Sequence, residues 1–422
     1  MKNSGVILVI LAVAAAGALI TGKPIFFNLG YSLLGITLVS YVWAWYNVSW
    51  VQVDRETLSG RSQVGKVAEE RFVLRNRGLL PKLWLEVRDH SELPEHRASM
   101  VINSLAPGGE HGWTVRTTCR RRGRYRLGPL SLISGDPFGL FLRCRELTPV
   151  SSIVVFPLVV DLPTFGAVSG ELAGGGTLHR RTHYVTTNVA GVREYYPGDS
   201  FNRIHWPSTA RTGRLIVKEF ELDPTADVWV CVDMERAVHV ERPVQEPRDA
   251  HGELPVLPAR RATALDPATE EYAVAAAASI ARYFIRQKRA VGLVAYGESR
   301  EVVQPDRGER QLSKILETLA VLRATGRVSI DRVLAAEGSL LGRNSVMVVV
   351  TPSTDRAWAS VLRDLSRRGV RGIGVVIDPE GFGSREQAGG ILHALASAGI
   401  LAYRVREGDS LAAALAAPAL PS

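Results

Sequence analysis

The chain has 422 residues, with 51 Lys+Arg against 42 Asp+Glu for a formal net charge of +9, and 46% of its residues are hydrophobic. At roughly 150 residues per domain this predicts two or three folded units and excludes a single small domain. A mean hydropathy of +0.05 excludes a disordered chain and leaves room for a membrane segment. Three cysteines, Cys119, Cys144 and Cys231, are too few and too far apart for a disulfide framework or a zinc cage, which points to a reducing compartment.

Residues Val6 to Ile20 carry no charge, and after Thr21-Gly22-Lys23-Pro24 a second uncharged run extends from Ile25 to Val53. A bilayer core of about 30 Å takes about 20 helical residues, so the second run is long enough to span and the first sits at the lower limit. The first run has the look of a signal-peptide core, but it ends in Gly-Lys-Pro and leads straight into more apolar sequence. A transmembrane helical hairpin over residues 1–53 is therefore expected. Tyr41, Trp43, Trp45, Tyr46 and Trp50 form the aromatic belt where the chain leaves the bilayer. Lys2 precedes the first helix, Arg55, Arg61, Lys66 and Arg71 follow the second, and the turn holds only Lys23. By the positive-inside rule the chain is a multi-pass protein of the inner or plasma membrane with its soluble body cytoplasmic. A single-span anchor with an external body is the alternative.

Residues 54–160 show short alternating runs: Arg71 to Arg75, Leu83 to Arg88, Gly112 to Arg116, Tyr125 to Leu127 and Ile153 to Phe156. Turn-rich clusters such as Asn76-Arg-Gly78, Ala106-Pro-Gly-Gly109 and Ser134-Gly-Asp-Pro137 separate them, which predicts a small antiparallel β-sandwich-like domain. Arg116, Arg120, Arg121, Arg122, Arg124 and Arg126 make a dense basic cluster. It reads either as a solvated strand face or as a surface for anionic membrane lipids. No nucleic acid is expected, because no groove-reading or aromatic-interleaved motif accompanies these arginines.

Residues 161–225 begin Gly-rich, with Gly174-Gly-Gly176, and read as a linker leading into a distinctive charged and aromatic segment. His179 and His183 lie four apart but lack the Glu of a zincin helix. Over 226–410, strand runs alternate with helical ones. The expected strands are Asp227 to Val232, Val291 to Tyr296, Glu301 to Val303, Ser345 to Val350, Gly372 to Ile377 and Leu401 to Tyr403. Helices are expected over Pro267 to Gln287, Glu309 to Leu322, Trp358 to Arg368 and Glu386 to Ala398. That alternation predicts a mostly parallel, Rossmann-like α/β sheet with helices on both faces. Ligands of such sheets bind outside the carboxyl ends of the strands, where Asp233, Thr351 and Asp355 fall.

The segment Gly191-Val-Arg-Glu-Tyr-Tyr-Pro-Gly-Asp-Ser-Phe-Asn-Arg-Ile-His-Trp206, continuing through Ser208-Thr-Ala-Arg211 and Leu215 to Phe220, resembles the signature of the domain-of-unknown-function-58 (DUF58) family. Arg122-Gly-Arg-Tyr-Arg-Leu-Gly-Pro129 and Asp136-Pro-Phe-Gly-Leu-Phe141 resemble the same family. The resemblance implies a membrane-anchored protein with a von Willebrand factor A-like α/β domain, associated with a MoxR-type AAA+ ATPase. Its signature puts Arg193, Glu194, Tyr195, Pro197, Gly198, Asp199, Arg203, His205, Trp206 and Arg211 into one short stretch. Such a mixture suits Arg–carboxylate pairs that pin a loop, or a partner-binding surface, since Arg and aromatics favour interface centres.

The resemblance also implies a divalent-cation site built on Asp-x-Ser-x-Ser at the end of the first strand. Asp233 matches its first position, but Glu235 and Ala237 replace the serines. Asp355 stands for the later carboxylate and Thr325 or Ser329 for the threonine. Losing the hydroxyls weakens an octahedral oxygen cage, so no cofactor is expected, with Mg2+ at Asp233, Glu235 and Asp355 as the alternative. There is no phosphate loop, nucleophile elbow or cysteine–histidine pattern. The expected function is a membrane-anchored, non-enzymatic adaptor that engages a MoxR-type AAA+ ATPase or its client in envelope-protein assembly or maturation. The alternative is a hydrolase using the His205 and Asp199 region or a metal near Asp233.

Overall fold

The computed structural model describes residues 4–58, 60–148, 150–166, 189–195, 204–220, 227–242 and 265–419. Outside that set fall His179, His183, Pro197, Gly198, Asp199 and Arg203, and most of the proline-bearing stretch after Arg242. The chain divides into two compact units, the first centred on Met1–Leu158 and the second on Val159–Arg242, Ala268–Ile315 and Arg323–Ser422.

The first unit opens with helices α1 (Ser4–Thr21) and α2 (Pro24–Val48), joined through Gly22, whose φ of +63° makes the turn. Gly17 lets them approach, since a Cβ there would stand 2.8 Å from the Phe26 ring. Pro24 starts α2 at a position where no backbone N–H is needed. Among the described residues only α2, 25 residues long, is long and apolar enough to cross a membrane. The qualifying stretch of α1, Val9–Thr21, covers about 20 Å against a core of about 30 Å. The expected two-span hairpin is thus corrected to one helix of membrane-spanning length, and a multi-pass anchor is not supported.

Helix α2 stops at Val48, five residues earlier than the uncharged run suggests, because Trp50 takes a left-handed φ of +53° and turns the chain into a strand. The strands are β1 (Val51–Thr57), β2 (Arg61–Gln63), β3 (Val67–Asn76), β4 (Lys82–Asp89), β5 (Met100–Leu105), β6 (Glu110–Thr118), β7 (Gly123–Leu127), β8 (Leu130–Gly135), β9 (Leu142–Leu147) and β10 (Ser151–Phe156). Sheets β1-β3-β6 and β5-β4-β8-β9 are antiparallel throughout, and β10 joins β7 antiparallel and β2 parallel. Phe72 and Leu74 of β3 pack with Leu85 and Val87 of β4 and Leu130 and Leu132 of β8 in one core.

Two polar residues share the inward face of β3. Asn76 donates to the carbonyls of Leu80, Leu105 and Ala106. Glu70 enters a buried ion cluster: Arg55 Nη2 lies 2.6 Å from Glu70 and its Nη1 3.3 Å from Asp89, while His96 Nε2 lies 3.1 and 3.2 Å from the same two carboxylates. His96 Nδ1 is 2.8 Å from the Thr117 hydroxyl. Burial alone would lower His96, but the two carboxylates outweigh it and hold the imidazole at about 9. Burial would raise Glu70 and Asp89, yet His96 and Arg55 together bring both below the usual carboxylate range. With His96 protonated, two positive groups balance two negative ones.

The arginine cluster is divided. Arg116 and Arg120 are exposed and paired with Glu69 and Glu95. Arg122 is fully buried and donates to the carbonyls of Leu319 and Leu322, residues that pack with this unit, so it is withdrawn from any lipid-facing surface.

The second unit contains β11 (Val189–Glu194), α3 (Trp206–Thr212), β12 (Ile216–Phe220), β13 (Val228–Val232), α4 (Thr269–Arg286), β14 (Val291–Tyr296), β15 (Arg300–Asp306), the part of α5 (Glu309–Val321) up to Ile315, α6 (Ile330–Glu337), β16 (Val346–Thr351), α7 (Ala357–Arg367), β17 (Arg371–Ile377), α8 (Gly389–Ser397) and β18 (Leu401–Val405). Its larger sheet runs β15-β14-β13-β16-β17-β18, with β15 antiparallel to β14 at one edge and the remaining pairs parallel. Every residue of β13 and β16 is buried, as their unbroken Val-rich sequences require.

The expected fold class, a von Willebrand factor A-like, Rossmann-like domain with a mostly parallel sheet preceded by a small antiparallel sandwich-like domain and a transmembrane hairpin, does not stand. Eight of the thirteen strand pairings among the described residues are antiparallel, and the six-stranded sheet is itself mixed. The fold is a mixed α and β architecture with antiparallel sheets. The reason is local: most strands bury one face and alternate, which suits antiparallel ladders, and uninterrupted apolar runs are confined to a few strands of the second unit.

Candidate functional site

The signature segment forms a two-stranded sheet capped by a short helix. Strands β11 and β12 pair antiparallel, with Arg193 opposite Val217 and Glu194 opposite Ile216. Tyr195 N–H donates to Leu215 O at 2.8 Å and His205 N–H to Ile216 O at 2.8 Å, so Tyr195 and His205 are both held at the start of β12. The helix α3 starts at His205, whose Nδ1 accepts from Ser208 N–H at 3.3 Å and lies 2.7 Å from the Ser208 hydroxyl. It ends at Gly213, whose φ of +69° closes the helix. Trp206 and Arg211 project from α3, and Trp206 is 65% exposed.

His205 is thereby a helix-capping acceptor with a serine beside it. Asp199, paired with it in the alternative hydrolase reading, lies with Pro197, Gly198 and Arg203 outside the described residues, and only the backbone of Arg193 and Glu194 is described. Ser208 had no signal of its own in the sequence, since a serine in the first turn of a helix is ordinary capping material.

At the carboxyl end of the larger sheet, Asp233 follows β13 and Thr351 ends β16. The Thr351 hydroxyl donates to Asp233 Oδ2 at 2.6 Å and the Glu235 N–H to Oδ1 at 3.0 Å. Burial pushes the Asp233 carboxyl up to about 6 despite these two donors, and the charges of Glu235 and Asp331 add to the rise. His239 Nε2 lies 2.9 Å from Asp233 O and its Nδ1 3.1 Å from the Thr269 hydroxyl. This histidine lacked a motif and was not singled out from the sequence.

Gly326 closes the site from the side. It pairs with Glu235, its N–H donates to Met234 O at 2.8 Å, and a Cβ would stand 2.1 Å from Tyr296 O. Only glycine fits there.

The other expected ligands are engaged locally. Asp355 Oδ1 accepts from Ala357 N–H at 3.0 Å, and Asp355 N–H donates to Ser353 Oγ at 3.4 Å, as at a helix start. Thr325 donates weakly to Arg323 O at 3.5 Å, and Ser329 precedes α6. Among the described residues no three His, Cys, Asp or Glu side chains group so as to hold a metal ion. Asp233, Glu235 and Asp355 are therefore not assembled into a cation site, whereas Asp233 and Thr351 are brought together.

The architecture is that of a two-unit protein with an apolar N-terminal helix of membrane-spanning length and a signature sheet-and-helix module. Residues 191–253 match the family model described as "Protein of unknown function DUF58". The chain is similar to "Uncharacterized protein YeaD" of Bacillus subtilis (strain 168), 22% identical over 352 residues, covering 79% of this chain and 78% of that protein. Both findings support the DUF58 resemblance. Among solved structures, the conserved hypothetical protein BatB from Bacteroides thetaiotaomicron matches at 13% identity over 45% of this chain and 95% of its own, with a TM-score of 0.30. The CARDB domain of a Pyrococcus furiosus protein matches at 20% identity over 25% of this chain and 86% of its own, with a TM-score of 0.19. Neither score defines a shared fold.

Proposed function

We propose that this protein is a membrane-anchored, non-enzymatic adaptor, held by α2, whose signature module engages a MoxR-type AAA+ ATPase or its client during assembly or maturation of envelope proteins. The observation that carries the reading is the way α2 ends. Asn47, at its last turn, donates from Nδ2 to Leu83 O at 2.9 Å and accepts from Leu83 N–H at 3.3 Å. Lys82 Nζ donates to Tyr46 O at 2.6 Å, satisfying a carbonyl of the helix end. Such fixed joints between an apolar helix and a folded unit suit a protein that holds a partner at a membrane. The exposed Trp206 on α3 is the kind of anchor that interface centres use. Against catalysis at Asp233, both carboxylate oxygens are already committed to Thr351 and to the Glu235 N–H.

Affinity capture of the full chain from detergent-solubilised membranes, with and without ATP, tests the proposal. Recovery of an AAA+ ATPase supports it. Failure to recover one in either condition, together with a turnover lost in His205→Ala, replaces it with an enzyme.

A further inference from the structure

Helix α2 does not simply emerge from a membrane and lead to a soluble unit, because two loops of the first unit reach back along it. At 25 residues it is about 37 Å long, against a hydrocarbon core of about 30 Å that uses about 20 residues. Counted from Pro24, the core boundary falls near Trp43. Tyr41 lies on the membrane side of that boundary, about 10 Å down the helix from Val48. The Phe141 ring packs edge-on against Tyr41 with centroids 5.6 Å apart, so the β8–β9 loop reaches the depth of the boundary. The Arg143 guanidinium lies 4.8 Å above the same tyrosine ring. On the β3–β4 loop, Leu80 N–H donates to the Tyr46 hydroxyl at 2.8 Å.

The β8–β9 loop is built to leave water. The buried Asp136 accepts from Phe138 N–H at 2.9 Å, Leu140 N–H at 2.8 Å and Phe141 N–H at 2.6 Å, and Gly139 N–H donates to Asp136 O at 3.1 Å. Its backbone donors are thus satisfied within the loop, the condition for irregular chain at membrane depth. What it then presents outward is apolar: Phe138 is 59% and Leu142 61% exposed. The β3–β4 loop adds Leu79, 91% exposed, and Leu80, with Trp84 next along. Exposed apolar side chains are ordinary when scattered, but these five stand on the β3–β4 and β8–β9 loops and the first residues of β4 and β9 that follow them, beside the end of an apolar helix.

We propose that Leu79, Leu80, Trp84, Phe138 and Leu142 form a collar around the end of α2 that inserts into the headgroup–acyl boundary of the bilayer, seating the first unit on the membrane surface. The occupant is lipid rather than protein because the collar is continuous with α2 and flanked by the exposed Trp45 and Trp50 and by Arg143, the residue types that settle at that depth. The Asp136-Pro-Phe-Gly-Leu-Phe141 motif thereby gains a physical role, since its carboxylate folds a loop that carries apolar side chains into the interface. The inference rests on α2 being membrane-embedded, and the test separates the two.

Single cysteines are placed at positions 38, 79, 138 and 67 of the full chain carrying Cys144→Ser, with the buried Cys119 and Cys231 left in place. Each is labelled with an environment-sensitive fluorophore and reconstituted into phosphatidylethanolamine–phosphatidylglycerol vesicles containing lipids spin-labelled near the headgroup end of the chain. Leu38, in α2, reports the anchor. Val67 is also exposed but lies at the far end of β3, about 30 Å from the collar. Quenching at 38, 79 and 138 but not at 67 is expected. Quenching at 38 with 79 and 138 behaving like 67 overturns the collar and leaves the anchor standing. Quenching at 67 equal to that at 79 overturns it as well, since the unit would then lie on lipid without a defined seat. No quenching at 38 removes the anchor and the collar together.

Discussion

Replacing His96 by glutamine should destabilise the first unit most at neutral and mildly acidic pH and least above pH 9. The imidazole is raised to about 9 from an ordinary 6.5 by Glu70 and Asp89. A histidine whose folded value is raised contributes stability that is fully present below 6.5 and is lost as pH rises through 9. At about 1.4 kcal/mol per unit, the difference is about 3 kcal/mol, or roughly two orders of magnitude in the opening equilibrium. The native Cys119 is buried in this unit and reports its opening. Its rate of reaction with a thiol reagent in mild urea, divided by that of the unfolded chain at the same pH, measures the open fraction. In Cys144→Ser protein that ratio should climb roughly a hundredfold between pH 6 and pH 10. His96→Gln should start high and stay nearly flat. A wild-type ratio that does not move over this range, or a variant indistinguishable from wild type at pH 6, would refute the ion-cluster reasoning. At the acid end the sign reverses: Glu70 and Asp89 are lowered, so their contribution is lost as pH falls below the usual carboxylate range.

The remaining predictions use the same readout or simple variants of it. Asp233 is raised to about 6, so its charge is a cost at pH 8. Asp233→Asn should slow the reaction of buried Cys231, corresponding to at most about 3 kcal/mol of local stability, and a faster reaction would show that the carboxylate charge is needed. Gly326→Ala should open the same region, because its Cβ meets backbone oxygens that cannot withdraw; unchanged Cys231 protection would contradict that. Asn47→Leu removes the acceptor of Leu83 N–H and one of the two side-chain donors to Leu83 O, leaving the Ser134 hydroxyl, and should cost about 1–3 kcal/mol, read as raised Cys119 reactivity while Cys231 stays protected.

Much of the strand pattern was legible from side-chain alternation alone. The runs at Arg71 to Arg75, Leu83 to Arg88 and Gly112 to Arg116 lie within β3, β4 and β6, and the helical runs after Pro267, Glu309 and Trp358 became α4, α5 and α7. Pairing was less legible, because alternation marks a strand but not its neighbours. That is why strand runs in the second unit suggested a fold class that the antiparallel ladders overturn. The end of α2 was hidden because Val51 and Val53 continue the apolar run, and only the left-handed Trp50 separates helix from strand. In the site, Asp233 and Thr351 were placeable from the strand ends they occupy. His239, Ser208 and the Arg55–Glu70–Asp89–His96 cluster were not, since each depends on contacts between residues with no shared spacing.

The adaptor proposal is tested most directly in intact membranes by a photo-crosslinking amino acid at Trp206, with the exposed Val321 as the control position. The predicted result is a crosslink from position 206 to an AAA+ ATPase or its client that changes with ATP and is missing from position 321. Identical products from both positions, or none from 206 under conditions where the protein is fully inserted, would contradict it.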